Sequence, residues 1–273
     1  MADEVITSDL TTKEIEHQKD LQRLRGFRPI DDDFMRGLFK KNIELVQMVL
    51  RIILEKEDLV ITACETQADM KRVTGARSIC LDAYGTDSEG RKYDIEVQRA
   101  DLGADPKRAR YHSSVMDIEN LDAGEDFKKL PETYTIFITE KDFIGDGDAV
   151  YLYEMKNQKN KLLHDGAHIV YVNGEYRGDD PIGKLMHDFN CVSASEMYYP
   201  LLSERTKYLK ETPEGVSIMC KAMEEMRNET AYRIAVEMAK KLIARGRMTL
   251  EEIAEDTELP LVKIRELAEQ KTA

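Results

Sequence analysis

The stretch GARSICLDAYGTDSEGRKYDIEVQRAD, residues 75–101, decides how the rest of the chain is read. SICLDAYGTD and RKYDIEVQRA alternate and carry β-branched residues, so they read as two strands of a hairpin. Ser88, Glu89 and Gly90 suit a three-residue loop, with Gly90 at its left-handed position. Successive strand side chains point to opposite faces, which groups Asp94, Glu96 and Gln98 against Ile95 and Val97. That loop places Asp82 directly opposite Glu96, with Cβ atoms ~5 Å apart. Like charges so placed destabilise a sheet unless they gain a counter-ion, a raised pKa or solvent. Two readings follow: a hard divalent cation shared by the acids, or an exposed hairpin whose outer face is merely polar.

Around the hairpin, the sequence alternates helices and strands. DDDFMRGLFKKNIELVQMVLRIILEKED predicts one amphipathic helix with acids at its start, and DLVITACETQ a strand. Pro106 and Gly124 bracket a helix, while ETYTIFITEKDF and HIVYVNGEYR read as strands, the latter ending in an Asn173-Gly174 turn. Helices are expected at Ile182 to Phe189 and about Ser195 to Lys210. From Glu214 the chain reads as helical, broken at Gly246 and at Leu259-Pro260, with Thr249 as a cap. The expected divisions are a polar arm over 1–28, an α/β domain over 29–212 and an all-helical region over 213–273.

With 42% hydrophobic residues in 273, the chain can bury a large core. A net charge of -13 argues against a protein that coats nucleic acid through a general positive field, yet leaves room for local basic strips at Arg99 to Arg110 and Lys240 to Arg247. No apolar run approaches a membrane span, so no membrane partner is expected, and MADEVITSDLTTKE lacks signal-peptide character, which sets the expectation of a cytoplasmic protein. Cys64, Cys80, Cys191 and Cys220 read as reduced thiols. No spacing among them favours a Cys–His nucleophile, and His164 with His168 straddles a glycine and a strand start, which disfavours a metal site. Met219, Met223, Met226 and Met238 are expected to pack one helix face.

Asp82, thirteen intervening residues and then Glu96-Val97-Gln98 resemble the D…(D/E)xK signature of the PD-(D/E)XK nuclease superfamily. The chain is more specifically similar to the bacterial Rpn-type, or PD-(D/E)XK nuclease family transposase, group, whose RxxxLDxxxxDxxGxxYxIExQ hairpin matches Arg77 to Gln98. The resemblance continues through PIDDDFMRGLFK, RARYHSSVMD, LPETYTIFITE, DGAHIVYVNGEYR and PIGKLMHDF. It implies a restriction-endonuclease-like core, with a mixed central sheet flanked by helices, and a DNA endonuclease linked to mobile elements or recombination.

Carried over, Asp82 and Glu96 match the acids that bind Mg²⁺ or Mn²⁺, and the Val97 carbonyl is a further ligand candidate. Asp82, Glu96 and Gln98 form the implied catalytic set, in which Gln98 replaces a lysine; a carboxamide can aim a water but brings no positive charge. A variant nuclease and a binding-only relative both fit this replacement. Asp32, Asp33 and Glu44 are candidates for an auxiliary acid, and Arg99, Lys107, Arg108 and Arg110 for DNA phosphate contacts. The segment MTLEEIAEDTELPLVKIRELAEQ resembles a short helix-turn-helix carrying Lys263 and Arg265, but its many acids equally suit a bihelical cap or a homodimer contact.

Overall fold

A computed structural model describes residues 12–70, 79–99 and 103–269. Arg77, the first residue of the matched hairpin pattern, lies outside them, as do residues 1–11 of the arm and 100–102 of the first basic strip. The chain forms two compact units that part after Met219.

The first unit is built on a six-stranded mixed sheet. Its strands are β1 (Ile61–Met70), β2 (Ile79–Asp87), β3 (Lys92–Gln98), β4 (Thr133–Thr139), β5 (Val150–Tyr153) and β6 (Ala167–Asn173). Their order is β1-β2-β3-β4-β6-β5, with β3, β4 and β6 parallel and the other neighbours antiparallel. The helices are α1 (Thr12–Gly26), α2 (Asp32–Phe39), α3 (Ile43–Leu54), α4 (Pro106–Glu119), α5 (Pro181–Asn190) and α6 (Pro200–Glu211). Joining the parallel strands β3 and β4 needs a crossover, which α4 supplies; it packs on β4 and β6. Every residue of β4 is buried, as expected of a parallel strand covered on both faces.

The expected single helix over residues 31–58 is two. Lys41 turns to φ +55°, and the Asn42 side chain accepts the Leu45 N–H at 3.2 Å, so α3 starts afresh with its own cap. The break turns two apolar faces inward: Phe34, Leu38 and Phe39 from α2, and Leu45, Val49 and Ile53 from α3. The helix expected from Ser195 starts later, at Pro200, after a short 3₁₀ turn over Ala194–Glu196. Part of the polar arm is the regular helix α1.

The hairpin register is the one its loop predicts. Ala83 pairs with Ile95 and Tyr84 with Asp94, and Gly90 sits at φ +84° in the left-handed region that glycine tolerates. Of the two readings of the hairpin's polar face, the exposed one is overturned, however. Tyr93 to Val97 are all buried, including Asp94 and Glu96, because α4 reaches over this strand through His112.

α7 (Pro213–Arg245) is followed by α8 (Leu250–Thr257) and α9 (Leu261–Glu269). In the second unit, Ala239 of α7 forms a small core with Ile253, Leu259, Ile264 and Leu267. Thr249 and Glu252 make a reciprocal capping box at the start of α8. Met219 and Met223 are buried as expected, but Met238 is exposed and does not continue that buried face. None of the helices, over the described residues, is long and apolar enough to cross a membrane.

Candidate metal centre and its arginines

The backbone ladder between β2 and β3 stops at Ala83 and Ile95, and side chains take over. The Asp82 N–H donates to Glu96 Oε1 at 3.0 Å, and the Val97 N–H donates to Asp82 Oδ2 at 3.4 Å. Each acid therefore satisfies a backbone donor beside the other, which fixes both carboxylates where the hairpin opens. Gln98 reaches the same group, its Nε2 lying 3.4 Å from Glu96 Oε2. Gly103 leaves space for that carboxamide, since a Cβ at position 103 would overlap it.

Positive charge arrives from two helices. Arg36 of α2 donates from Nη2 to Asp82 Oδ1 at 3.2 Å, and Arg108 of α4 from Nη2 to Glu96 Oε2 at 2.7 Å. Arg108 is held on two further sides: Nε donates to His112 Nε2 at 3.2 Å, and Nη1 to the Gly103 carbonyl at 3.0 Å. His112 Nδ1 in turn lies 2.9 Å from Asp94 Oδ2. Because Nε2 accepts from Arg108, the imidazole proton sits on Nδ1 and is given to Asp94. Asp94, Glu96 and His112 have the clustering of metal ligands, but this tautomer makes His112 a hydrogen-bond donor towards Asp94.

Burial is the largest influence on Asp82, Asp94 and Glu96 and pushes each carboxyl upward. Asp82 is raised despite Arg36, and Asp94 and Glu96 are raised well above the ordinary range, with neighbouring carboxylates adding to the effect. Asp94 Oδ1 is buried with no hydrogen-bond partner. Carboxylates gathered out of water in this way favour a bound cation.

Among the auxiliary candidates, Asp32 is the one whose carboxyl senses the site: burial and then Asp82 push it up to about 6. Asp33 instead pairs with Arg23 at 3.4 Å, and Glu44 is exposed on α3. The four basic candidates divide similarly. Arg108 enters the site; Arg99 pairs with Asp31 at 3.1 Å and with Glu140 at 3.5 Å; Lys107 and Arg110 are exposed on α4 without an ion pair among the described residues. Lys263 and Arg265 are matched by acids, Glu266 at 2.9 Å and Glu251 at 3.7 Å.

Sequence reasoning assigned no role to Arg36, Asp94 or His112. A signal existed for the last, since Arg108 and His112 are four apart and share a helix face. Elsewhere, the structure brings Cys191 Sγ to 3.5 Å from His187 Nδ1, next to Asp188. Asp188 is a brace there, accepting the N–H groups of Tyr198 and Tyr199 at 2.9 and 2.8 Å, while burial pushes the Cys191 thiol up and away from thiolate character. His168 lies near the start of β6 and bonds Glu132 at 2.8 Å, in keeping with its reading as a strand residue.

A mixed six-stranded sheet flanked by helices, with paired acids on its opening hairpin, defines a restriction-endonuclease-like protein of the PD-(D/E)XK class. The family model of the PD-(D/E)XK nuclease family transposases matches residues 36–175, just over half the chain, and the chain belongs to this family. No curated protein and no solved structure gives a significant match. PD-(D/E)XK nucleases generally use divalent metals, and the donors here fit one: hard carboxylate oxygens, buried and gathered at one place.

Proposed function

We propose that the protein is a divalent-cation-dependent endonuclease that hydrolyses phosphodiesters in DNA. The observation that carries this reading is the interlock of Asp82 with Glu96, two buried carboxylates fixed by each other's strand where the ladder opens. These two residues would hold Mg²⁺ or Mn²⁺, with the Val97 carbonyl as the further ligand implied by resemblance. When bound, the cation supplies Lewis acidity at a phosphate oxygen and a nucleophilic water at neutral pH.

The chain's own groups complete the chemistry. Glu96 accepts hydrogen bonds, Gln98 orients water through its carboxamide, and the buried surroundings strengthen both interactions. Lys107 and Arg110, exposed on the helix that carries Arg108, suit a DNA backbone passing the site. A role in mobile elements or recombination accords with the family's transposase description.

One observation favours the alternative of a binding-only relative: Arg36 and Arg108 already neutralise the two acids, and position 98 has no charge. Incubating supercoiled plasmid with Mg²⁺, Mn²⁺ or EDTA separates the readings. Cation-dependent nicking that disappears in Asp82→Ala and Glu96→Ala is the expected result; DNA binding without any nicking supports the binding module.

A further inference from the structure

We infer that Arg108 supplies the positive charge at the scissile phosphate, and that His112 and Asp94 act as positioning residues that keep it aimed there; this rests on the endonuclease reading above. Phosphoryl transfer develops negative charge on the non-bridging oxygens, and a fixed cationic donor is the usual means of stabilising it. Gln98 is neutral. Arg108 Nη2 lies against Glu96 Oε2, the oxygen that Gln98 also approaches, so its guanidinium stands beside the residue that lacks the charge.

The way Arg108 is mounted distinguishes it from a simple surface contact. Nε is tied to His112, Nη1 to the Gly103 carbonyl, and the guanidinium carbon lies 5.8 Å from the centre of the Phe137 ring. Its side chain nevertheless remains 38% exposed, against 1% for Glu96, so one flank is open to an incoming ligand. Asp94, fully buried, fixes the proton on His112 Nδ1, so that Nε2 accepts from Arg108. Arg36 has a less determined setting, since its buried Nε has no hydrogen-bond partner.

Arg108 Nη2 would share the Glu96 carboxylate with a bound cation, and would then be available to a phosphate oxygen while its bonds to His112 and Gly103 hold the rest of the group. In the reaction, the oxygen of water forms the new P–O bond and the P–O bond to one deoxyribose oxygen breaks. One water proton stays on the new phosphomonoester, the other passes to solvent, and the leaving oxygen takes up a proton from solvent to become an alcohol. Arg108 stays protonated throughout and donates hydrogen bonds only.

The full chain is tested in three measurements: single-turnover cleavage of a DNA duplex with Mn²⁺, duplex binding with Ca²⁺, and Mn²⁺ binding by calorimetry without DNA. Arg108→Gln is expected to slow cleavage by about 100-fold or more while weakening duplex binding by less than about fivefold. Its Mn²⁺ affinity is expected to rise several-fold, because Glu96 loses a competing cation; a damaged site would lose affinity instead. Arg108→Lys, which keeps charge without the fork, should fall between, and His112→Phe should add little in the Arg108→Gln background. Cleavage by Arg108→Gln within about threefold of wild type overturns the inference, as does an equal loss of binding and cleavage or weaker Mn²⁺ binding. Absence of cation-dependent cleavage in the wild type overturns the endonuclease reading and this inference together.

Discussion

Asp94 Oδ2 and His112 Nδ1 lie 2.9 Å apart with both side chains buried, which gives the site a polar brace with no access to bulk water. A donor left alone in such a place costs about 1–3 kcal/mol. Asp94→Ala should therefore lower stability by about 2 kcal/mol in urea titration, whereas Asp94→Asn, which keeps an acceptor and removes a buried charge, should cost less than about 1 kcal/mol. Equal losses in the two variants would show that packing, and not the hydrogen bond, is what Asp94 provides.

Cation binding should depend on pH in a defined direction. Burial holds Asp82 and Glu96 in their protonated forms to higher pH than usual, and a cation binds the ionised groups. Mn²⁺ affinity is expected to keep rising with pH beyond the range in which ordinary carboxylates have ionised, with proton release on binding. Calorimetry in two buffers of different ionisation enthalpy measures that release directly. Binding with no proton release rules out these acids as the ligands.

Asp32 makes a separate prediction for stability. Its carboxyl titrates at about 6 in the folded protein against 3.8 ordinarily, so the folded state holds the proton more tightly than the unfolded one. The sign follows from linkage: this contribution is fully favourable below pH ~4 and is lost as pH rises through about 6. Asp32→Asn should stabilise the protein by about 1–2 kcal/mol at neutral pH and by little near pH ~4. A difference that stays constant between the two pH values contradicts the assignment.

Gly103→Ala tests whether Gln98 needs its present position. The added methyl would overlap the Gln98 carboxamide, so cleavage should fall about as far as it does in Gln98→Ala, with a stability cost of about 1 kcal/mol. The double variant should be no slower than Gln98→Ala alone, because both changes disturb one group. Fully additive losses would separate the two residues.

Much of the fold was legible because it depends on local rules. Strand alternation and the Ser88-Glu89-Gly90 loop set the register that pairs Ala83 with Ile95, and Thr249 announced a helix start. The break between α2 and α3 was hidden because the apolar spacing continues across Lys40, Lys41 and Asn42, and only packing selects two helices there. The short edge strand β5 gives few residues of pattern, and its pairing with β6 is non-local.

The site divides along the same line. Sequence by itself determined the order of the acids, their two-residue spacing with Gln98, and a chain with enough apolar residues to enclose them. Tertiary structure decided that Asp82, Asp94 and Glu96 are buried and not wet, that Arg36 is the counter-charge of Asp82 and that Arg108 is the counter-charge of Glu96. The physical reason is that hairpin register is written in neighbouring residues. Burial and charge pairing, by contrast, depend on where α2 and α4 come to rest on the sheet, over separations of 46 residues for Arg36–Asp82 and 12 for Arg108–Glu96.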